Sequence, residues 1–156
     1  MNIEWKKCDY SYADVIEESM DYIDRRMLYM NNTSWNMVAD EIEDCLKYAT
    51  NGQFRNVVGF VDGEPAVFAM FGVECSGDAL RIYNLLVAPK FRGKGVGKQA
   101  VKDIIDERNI FDLDRTFSRV LTSVYSDNER SYDMFSGLGL KFMEIEDNLI
   151  SMERKL

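Results

Sequence analysis

The apolar positions of the chain follow two periods, and the first third of the sequence combines both. Alternation at Ile3 and Trp5 predicts a short strand at the start. Apolar residues spaced by three and four then predict one helix over residues 13–30 and a second helix that begins after Ser34, a good N-cap residue, and extends to Leu46. Aspartate and glutamate fill the opposite faces, which is typical of helices that lie at a protein surface.

The middle of the chain predicts a meander of three strands. Residues 57–61 and 66–75 are rich in apolar residues, and Asp62-Gly63 between them is a strong two-residue hairpin signal. Ser76-Gly77-Asp78 predicts a further turn before a third strand over residues 80–87. Tight turns between consecutive strands favour antiparallel pairing.

The last third of the chain alternates helices with strands. A polar connection over residues 109–116 precedes a strand over residues 120–125, a helix over residues 127–139 and a closing hairpin around Asp147-Asn148. Before that connection, a stripe of apolar or small residues predicts a helix that opens near Gly95. The members of the stripe are Val96, Ala100, Val101, Ile104 and Ile105. The predicted order is therefore strand, two helices, three strands, helix, strand, helix and two strands.

A basic, glycine-rich segment joins the strand over residues 80–87 to the helix that follows. It reads Arg92-Gly93-Lys94-Gly95-Val96-Gly97-Lys98 and comes shortly after Pro89, which ends the strand. Glycine lacks a Cβ, so a ligand could approach the backbone closely, and N–H groups at a helix start could converge on it. The segment is suited to phosphate or pyrophosphate, and an ordinary strand-to-helix connection with solvated cations is the alternative.

Two common phosphate-binding motifs fit this segment poorly. A Walker A loop needs four residues between its first Gly and its Gly-Lys pair, followed by Ser or Thr. Here only residues 94–96 separate Gly93 from Gly97-Lys98, and Gln99 follows. The dinucleotide pattern matches formally over residues 95–100. However, that pattern should lie in the first βα turn, with an acidic residue about 20 positions further on at the end of a strand. Here the pattern lies midway along the chain, and the acidic residues at that distance fall in the polar connection over residues 109–116. A dinucleotide-binding protein is therefore a minor alternative.

Composition narrows the classes of function. The chain of 156 residues is expected to form a single domain, residues 1–156. It contains no histidine, which excludes serine–histidine and cysteine–histidine nucleophiles and histidine zinc sites. Three scattered cysteines without a CxxC pair indicate reduced thiols, so we expect neither disulfides nor a metal.

Charge and hydropathy bear on partners and location. The net charge of -8 argues against nucleic-acid binding and favours a cationic substrate, for which the acidic helix faces could form a negative rim. No segment has the apolar core of a signal peptide or the length of a membrane span. We therefore expect a cytoplasmic protein without a membrane partner.

The glycine-rich segment resembles the acetyl-coenzyme A signature of the GNAT acetyltransferases. That signature is Gln or Arg, two residues, Gly, any residue, then Gly or Ala, and residues 92–97 follow it. The resemblance implies that backbone N–H groups of this turn hold the pyrophosphate of coenzyme A, and that the end of the preceding strand pairs with the pantetheine arm. The cofactor-binding residues that it implies are Leu86, Val87, Arg92, Gly93, Lys94, Gly95, Val96, Gly97, Lys98 and Asn128.

A second segment and the order of elements extend the resemblance over essentially the whole chain. Residues 128–140 carry Asn128, a small residue three positions later, an aromatic residue seven positions later, and then Gly and an apolar residue, as in the family's second motif. The order of predicted elements is that of the GNAT fold. We therefore expect an α/β fold with a mixed central sheet of about seven strands flanked by about four helices.

The identity of the catalytic acid is open. Seven residues after the Asn, many family members carry a tyrosine that protonates the departing coenzyme A thiolate, but this chain has Phe135, which has no proton to give. Tyr132 lies on the same helical face as Asn128 and could take this role. It could equally be a packed aromatic residue, with water as the proton source.

The catalytic base is also open. In the family, the amine attacks the thioester directly after a carboxylate or an ordered water takes its proton, since an alkylamine is almost fully protonated at neutral pH. Some members place a glutamate on the strand before the loop, where this chain has Arg81, Tyr83 and Asn84. Glu74 on the adjacent predicted strand is the nearest candidate, or else a solvent-facing strand residue. By resemblance, the N–H near Val87 stabilises the oxyanion.

These observations together predict an acetyl-coenzyme A dependent N-acetyltransferase. Its acceptor would be a primary amine of a small molecule or a peptide, with no metal and no nucleic acid involved. The sequence leaves the oligomeric state open, and a homodimer is one candidate because many relatives dimerise. Phe135 and the open base favour an alternative from another class, a non-catalytic acyl-coenzyme A-binding sensor or interaction module.

Overall fold

Seven strands form one sheet in the part of the chain that the structure describes. The computed structural model describes residues 1–7, 54–74, 77–113 and 115–156. The strands are β1 (Glu4–Lys7), β2 (Phe54–Val61), β3 (Glu64–Glu74), β4 (Ala79–Val87), β5 (Arg119–Tyr125), β6 (Lys141–Glu146) and β7 (Leu149–Lys155). The helices are α1 (Val96–Asp106) and α2 (Glu129–Gly137). The helices predicted over residues 13–30 and 34–46 lie outside the described residues.

The sheet is mixed and follows the order β1-β2-β3-β4-β5-β7-β6. Every neighbouring pair is antiparallel except β4 and β5, which run parallel and are joined by the crossover that contains α1. A parallel pair needs such a long connection because its strands must both run the same way. The predicted α/β class and the mixed sheet of seven strands are confirmed.

Two hairpins form where the sequence predicts them. Asp62 and Gly63 connect β2 to β3 with φ angles of 51° and 77°, and Asp147 and Asn148 connect β6 to β7 with φ angles of 50° and 64°. Two consecutive residues with positive φ make the turn whose twist matches that of the flanking strands. These turns fix which residues of each hairpin face the core.

Helix α1 packs its predicted apolar stripe against the sheet. All five stripe residues are buried. Val101, Ile104 and Ile105 join the main core with Phe71, Leu80, Ile82 and Val120 from the central strands, whereas Val96 and Ala100 join a second cluster with Ile3, Ala66, Val67 and Phe91. The indole Nε1 of Trp5 on β1 donates a hydrogen bond of 2.9 Å to Asp103 Oδ2 on α1. This contact ties the first strand to the helix that follows the glycine-rich segment.

The connection after α1 is less polar than predicted. It contains a short 3-10 helix, Arg108–Phe111, and buries Phe111 and Leu113. The ring of Phe111 makes edge contacts with Trp5 and Phe71, with ring centroids 5.2 Å and 5.1 Å away. Arg55 Nε donates a hydrogen bond of 2.5 Å to the Phe111 carbonyl. Isolated apolar residues without a period carry no signal for such tertiary contacts, which is why the sequence missed them.

Strand β6 forms one edge of the sheet, and all six of its residues are exposed. They include Phe142, Met143 and Ile145. A register shift between Phe142 and Glu144 interrupts the pairing of β6 with β7, and such irregularities discourage further pairing at a sheet edge. Neither of the described helices is long and apolar enough to cross a membrane.

Candidate functional site

Strands β4 and β5 separate halfway along the sheet. They pair only from Ala79↔Arg119 to Ile82↔Thr122, although β4 continues to Val87. The Thr122 hydroxyl donates a buried hydrogen bond of 3.0 Å to the Ile82 carbonyl at the last pair. One residue later, the register of β4 against β3 shifts, with Tyr83 as the extra residue, and such a bulge bends a strand.

A small cavity of about 30 Å³ lies where the two strands part. We call it the gap cavity. Its walls come from the two strands and from the start of α2, and they are formed by residues 82–86, residues 122–124, Asn128, Ser131 and Phe135. Leu86, which the sequence implicates in cofactor binding, is buried in this wall.

The glycine-rich segment forms a tight turn into α1. We call residues 92–98 the glycine loop. Gly93 and Gly95 adopt φ angles of 72° and 82°, which side chains with a Cβ rarely tolerate, and Gly95 is the N-cap of α1. Within the described residues, none of the backbone N–H groups of residues 93–98 donates a hydrogen bond to a backbone acceptor. Helix starts leave such donors free, and they attract anions.

Side chains of the loop and its flanks hold this turn in place. Arg92 Nε donates a hydrogen bond of 2.9 Å to the Val87 carbonyl, which fixes the loop against the end of β4. Lys94 and Lys98 are exposed, and the ammonium of Lys94 lies 6.0 Å from the centre of the Phe91 ring. The loop therefore combines N–H groups that lack backbone acceptors with two exposed cations, as a phosphate site requires.

Gly97 serves packing inside the protein and does not simply admit a ligand. A Cβ at this position would lie 3.1 Å from Met134 Sδ and 3.3 Å from Val87 Cγ2. Its absence lets α1 approach α2 and β4 closely. In contrast, a Cβ on Gly93 or Gly95 would meet nothing within 4 Å, so these two glycines are required by their backbone angles.

A second cavity of about 220 Å³ opens beside the glycine loop. We call it the loop cavity. It is lined by Leu85, Val87, Phe91, Arg92, Gly93, Gly95, Val96, Gly97, Arg130, Ser131 and Met134. Leu85 and Ser131 line the gap cavity as well. The two cavities therefore adjoin, and an elongated ligand bound at the loop can reach the place where β4 and β5 part.

The edge of β4 between the two cavities presents peptide groups that pair with no neighbouring strand, although the Val87 carbonyl accepts from Arg92 Nε. Ala88 N donates to Ala66 O at 2.9 Å, and Val67 pairs with Val87 in the same antiparallel register. Hydrogen-bonded and non-hydrogen-bonded pairs alternate along such a ladder, so the peptide groups of Val87 and Leu85 face away from β3. Those of Leu86 face β3. Leu85, which the sequence analysis did not single out, therefore joins Val87 in offering a strand edge to a ligand.

Asn128 is the N-cap of α2. Its side-chain oxygen accepts a hydrogen bond of 3.2 Å from Ser131 N, and the residue is buried beside the gap cavity. An Asn cap satisfies one of the free donors at a helix start. Asn128 thereby sets the direction in which α2 leaves the gap.

The aromatic residues of α2 do not present a hydroxyl to either cavity. Phe135 is buried and reaches the gap cavity with its ring, whereas Tyr132 packs against the main core and lines neither cavity. Ser131 lines both. In the sequence, Ser131 stands out only as a small residue three positions after Asn128. That spacing is the signal that could have placed its hydroxyl at the site, because residue N3 of a capped helix lies beside the cap.

Glu74 belongs to a three-strand network. Arg81 Nε on β4 donates to Glu74 Oε2 on β3, and Arg81 Nη1 donates to Ser123 Oγ on β5 at 3.1 Å. Ser123 lines the gap cavity. The predicted base thus does not line the gap cavity. It forms an ion pair with Arg81, which contacts the cavity wall at Ser123. The residues that the structure describes contain no group of three His, Cys, Asp or Glu that could hold a metal ion.

Comparison with known proteins identifies relatives of this arrangement. The sequence matches the Acetyltransferase (GNAT) family over residues 4–140. No protein of curated function matches it.

Solved structures share the fold over nearly the full chain. The PaiA N-acetyltransferase from Thermoplasma acidophilum, in complex with coenzyme A, has a TM-score of 0.71 and 16% identity, with 100% of both chains covered. YncA from Salmonella typhimurium, solved with acetyl-CoA, has a TM-score of 0.66 and 18% identity, covering 100% of this chain and 95% of that one. The ribosomal-protein-alanine N-acetyltransferase from Brucella melitensis has a TM-score of 0.68 and 15% identity, covering 98% and 99%. At such low identity the likeness concerns the fold.

Proposed function

This chain is a member of the GNAT acetyltransferase family, and we propose that it transfers the acetyl group of acetyl-coenzyme A to a primary amine of a small molecule or a peptide. One observation carries the proposal. The free N–H groups of residues 93–98 lie at the mouth of a cavity that adjoins the gap between β4 and β5. A long ligand with a phosphate at one end and a reactive group at the other fits this arrangement.

The glycine loop would hold the pyrophosphate of the cosubstrate. The N–H groups of residues 93–98 lack backbone acceptors among the described residues, and Lys94 and Lys98 supply positive charge. The strand edge at Leu85 and Val87 would pair with the amide groups of the pantetheine arm. Arg92 keeps loop and strand together through the Val87 carbonyl. The residues present therefore fit the cosubstrate along its length.

The chain's own groups can carry the proton transfers of the reaction. When bound, acetyl-coenzyme A supplies an acetyl group activated as a thioester. Glu74 Oε1, which accepts no hydrogen bond from the described residues, would take the proton that the amine loses as its nitrogen bonds to the acetyl carbon. The Val87 N–H would stabilise the charge that develops on the acetyl oxygen. The Ser131 hydroxyl would give its proton to the departing sulfur and regain one from solvent.

The acceptor and the setting of the reaction follow from charge and family. The net charge of -8 favours an acceptor with a cationic amine. A cytoplasmic location and a homodimer stay predictions.

The first experiment measures thermal stability with saturating acetyl-coenzyme A, coenzyme A or NAD. A ligand at 100 times its dissociation constant contributes ~2.7 kcal/mol, which raises the midpoint of a domain of this size by roughly 5 to 10 °C. We expect this rise with both coenzyme A forms and none with NAD. A rise with NAD alone would instead support the dinucleotide-binding alternative.

Charge reversal locates the binding site. Lys94→Glu combined with Lys98→Glu changes two exposed side chains, and it should reduce the rise to less than half. Lys102→Glu, one turn further along α1 and also exposed, is the matched control and should keep the full rise. An equal effect of both changes would show that the loop has no special role.

A panel of amines then tests catalysis through the release of free coenzyme A thiol. Transfer to at least one amine supports the acetyltransferase. Cofactor binding without transfer to any amine would favour the alternative, an acyl-coenzyme A-binding sensor or interaction module.

A further inference from the structure

Arg81 occupies a position in β4 where three strands meet beside the gap cavity. It precedes Ile82, the last residue of β4 that pairs with β5. Its Nε donates to Glu74 Oε2 and its Nη1 donates to Ser123 Oγ at 3.1 Å. Two strands thus fix the guanidinium of a third, and its orientation is set before any ligand arrives.

The network lies on the face of the sheet opposite to α1. Leu80 and Ile82 belong to the core that α1 covers, and Arg81 lies between them, so its side chain leaves from the other face. Glu74 and Ser123 are diagonal neighbours of Arg81 on that face, because Gly72 and Leu121 are its direct partners.

Each member of the ion pair keeps one polar atom unused. Among the described residues, Arg81 Nη2 donates no hydrogen bond and Glu74 Oε1 accepts none. The side chains remain 22% and 35% exposed. The Nη2 side of the guanidinium fork therefore lies next to a carboxylate oxygen, and Arg81 reaches the wall of the gap cavity through Ser123.

This pair of open groups complements a zwitterion. A guanidinium fork binds a carboxylate with two parallel hydrogen bonds, and a carboxylate oxygen accepts from an ammonium group. A simple amine would satisfy Glu74 and leave the Arg81 fork unused. A substrate that carries both a carboxylate and an amine satisfies both and is oriented by them.

We propose that the acceptor is a free amino acid, whose carboxylate is held by Arg81 and whose ammonium group faces Glu74. This inference rests on the proposed acetyl transfer. It also departs from the acceptor expected from net charge alone, because the local positive charge of Arg81 selects an anionic group within an acidic protein. The product would be an N-acetyl amino acid.

The test compares amino acids with their amides, which keep the amine and the side chain but lack the charged carboxylate. The amine of an amide is the less basic of the two, so a larger share of it is unprotonated. A preference for the free acid therefore cannot arise from amine reactivity. We expect kcat/KM for the preferred acids to exceed that for their amides by roughly 10- to 100-fold, as for hydrogen bonds to a charged group.

Substitution of Arg81 should remove this preference. Arg81→Gln should lower kcat/KM for acids by roughly 10- to 100-fold more than it lowers kcat/KM for amides, which lose only what the change costs Glu74. Ser123→Ala, which removes only one anchor of the guanidinium, should give a smaller loss in the same direction. Arg119→Gln is the matched control, because Arg119 of β5 also forms ion pairs, with Asp78 just before β4 and with Glu153 on β7. It should leave the preference intact.

A binding measurement separates this inference from the proposed function. Stabilisation of the coenzyme A complex by acids and by amides is measured on the unmodified protein, with no turnover required. Stabilisation by acids alone would support the inference even if no acetyl transfer occurred, a result that would count against the acetyltransferase. Equal effects of acids and amides, or no effect of either, would overturn the inference, and acetyl transfer without a preference for acids would do so while leaving the proposed function in place.

Discussion

Met134 of α2 lies so close to Gly97 of α1 that a Cβ on the glycine would come within 3.1 Å of the methionine sulfur. Val87 on β4 lies at 3.3 Å from the same point. Two helices and one strand therefore meet at a residue without a side chain. Because Gly97 also lies within the glycine loop, the position of that loop is set by the packing behind it.

Gly97→Ala should destabilise the protein. Overpacking costs about 1 to 3 kcal/mol, which outweighs the roughly 1 kcal/mol that alanine gains over glycine in a helix. Chemical denaturation measures the change. Met134→Ala creates space beside the new methyl group, so in a double-mutant cycle it should cost less in the Gly97→Ala background than alone. A Gly97→Ala protein as stable as the parent would mean that the helices can move apart freely.

Ser131→Ala should lower kcat for acetyl transfer by roughly 100-fold if its hydroxyl protonates the departing sulfur. The backbone bond from Ser131 N to Asn128 does not involve the hydroxyl, so the helix cap should persist. Tyr132→Phe is the control and should retain kcat, because the tyrosine packs against the core. The reverse pattern, with loss in Tyr132→Phe only, would establish the tyrosine that the sequence suggested.

Glu74→Gln should lower kcat/KM at neutral pH by roughly 100-fold if the carboxylate accepts the proton of the amine. The loss should shrink as pH rises, because a growing share of the amine is then unprotonated without assistance. A pH–rate profile of both proteins measures this. Glu153→Gln removes another carboxylate that pairs with a strand arginine, Arg119, and should leave the profile unchanged. Full activity of Glu74→Gln at every pH would remove Glu74 from the reaction.

Asn128→Ala should cost about 1 kcal/mol of stability by removing the cap of α2. Asn128→Ser keeps a capping oxygen and should recover most of this loss. Urea denaturation of the three proteins gives the values. If alanine and serine behave alike, the hydrogen bond to Ser131 N contributes little and Asn128 acts only through its place in the gap cavity.

Much of the fold could be predicted because local chemistry determines it. Asp62-Gly63 fixes one hairpin through its backbone angles, and the stripe from Val96 to Ile105 fixes the buried face of α1. The buried connection at Phe111 could not be predicted in the same way. Its burial depends on Trp5 and Phe71, which are far away in the sequence.

The same distinction between local sequence and distant contacts applies to the candidate site. The glycine loop could be located from sequence, because its residues are contiguous. The peptide groups of Leu85 could not, since their direction depends on the phase of pairing with β3. Nor could the contact between Glu74, Arg81 and Ser123, which requires the register of three strands. The sequence therefore identifies side chains capable of the chemistry, whereas the pairing register of the strands determines which of these side chains come into contact.

The short parallel ladder between β4 and β5 bears on how the protein unfolds. It divides the sheet into two antiparallel halves, β1 to β4 and β5 to β7, joined by four residue pairs. The hairpins β2–β3, β3–β4 and β6–β7 form from contacts close in sequence, whereas the seam must bring Ala79 and Arg119 together across the crossover and is expected to form later than these hairpins. A cosubstrate held at the start of α1 and lying between the two strands would touch both halves and couple their opening. The presence of the cosubstrate would then determine whether the two halves of the sheet unfold in one cooperative transition or in two.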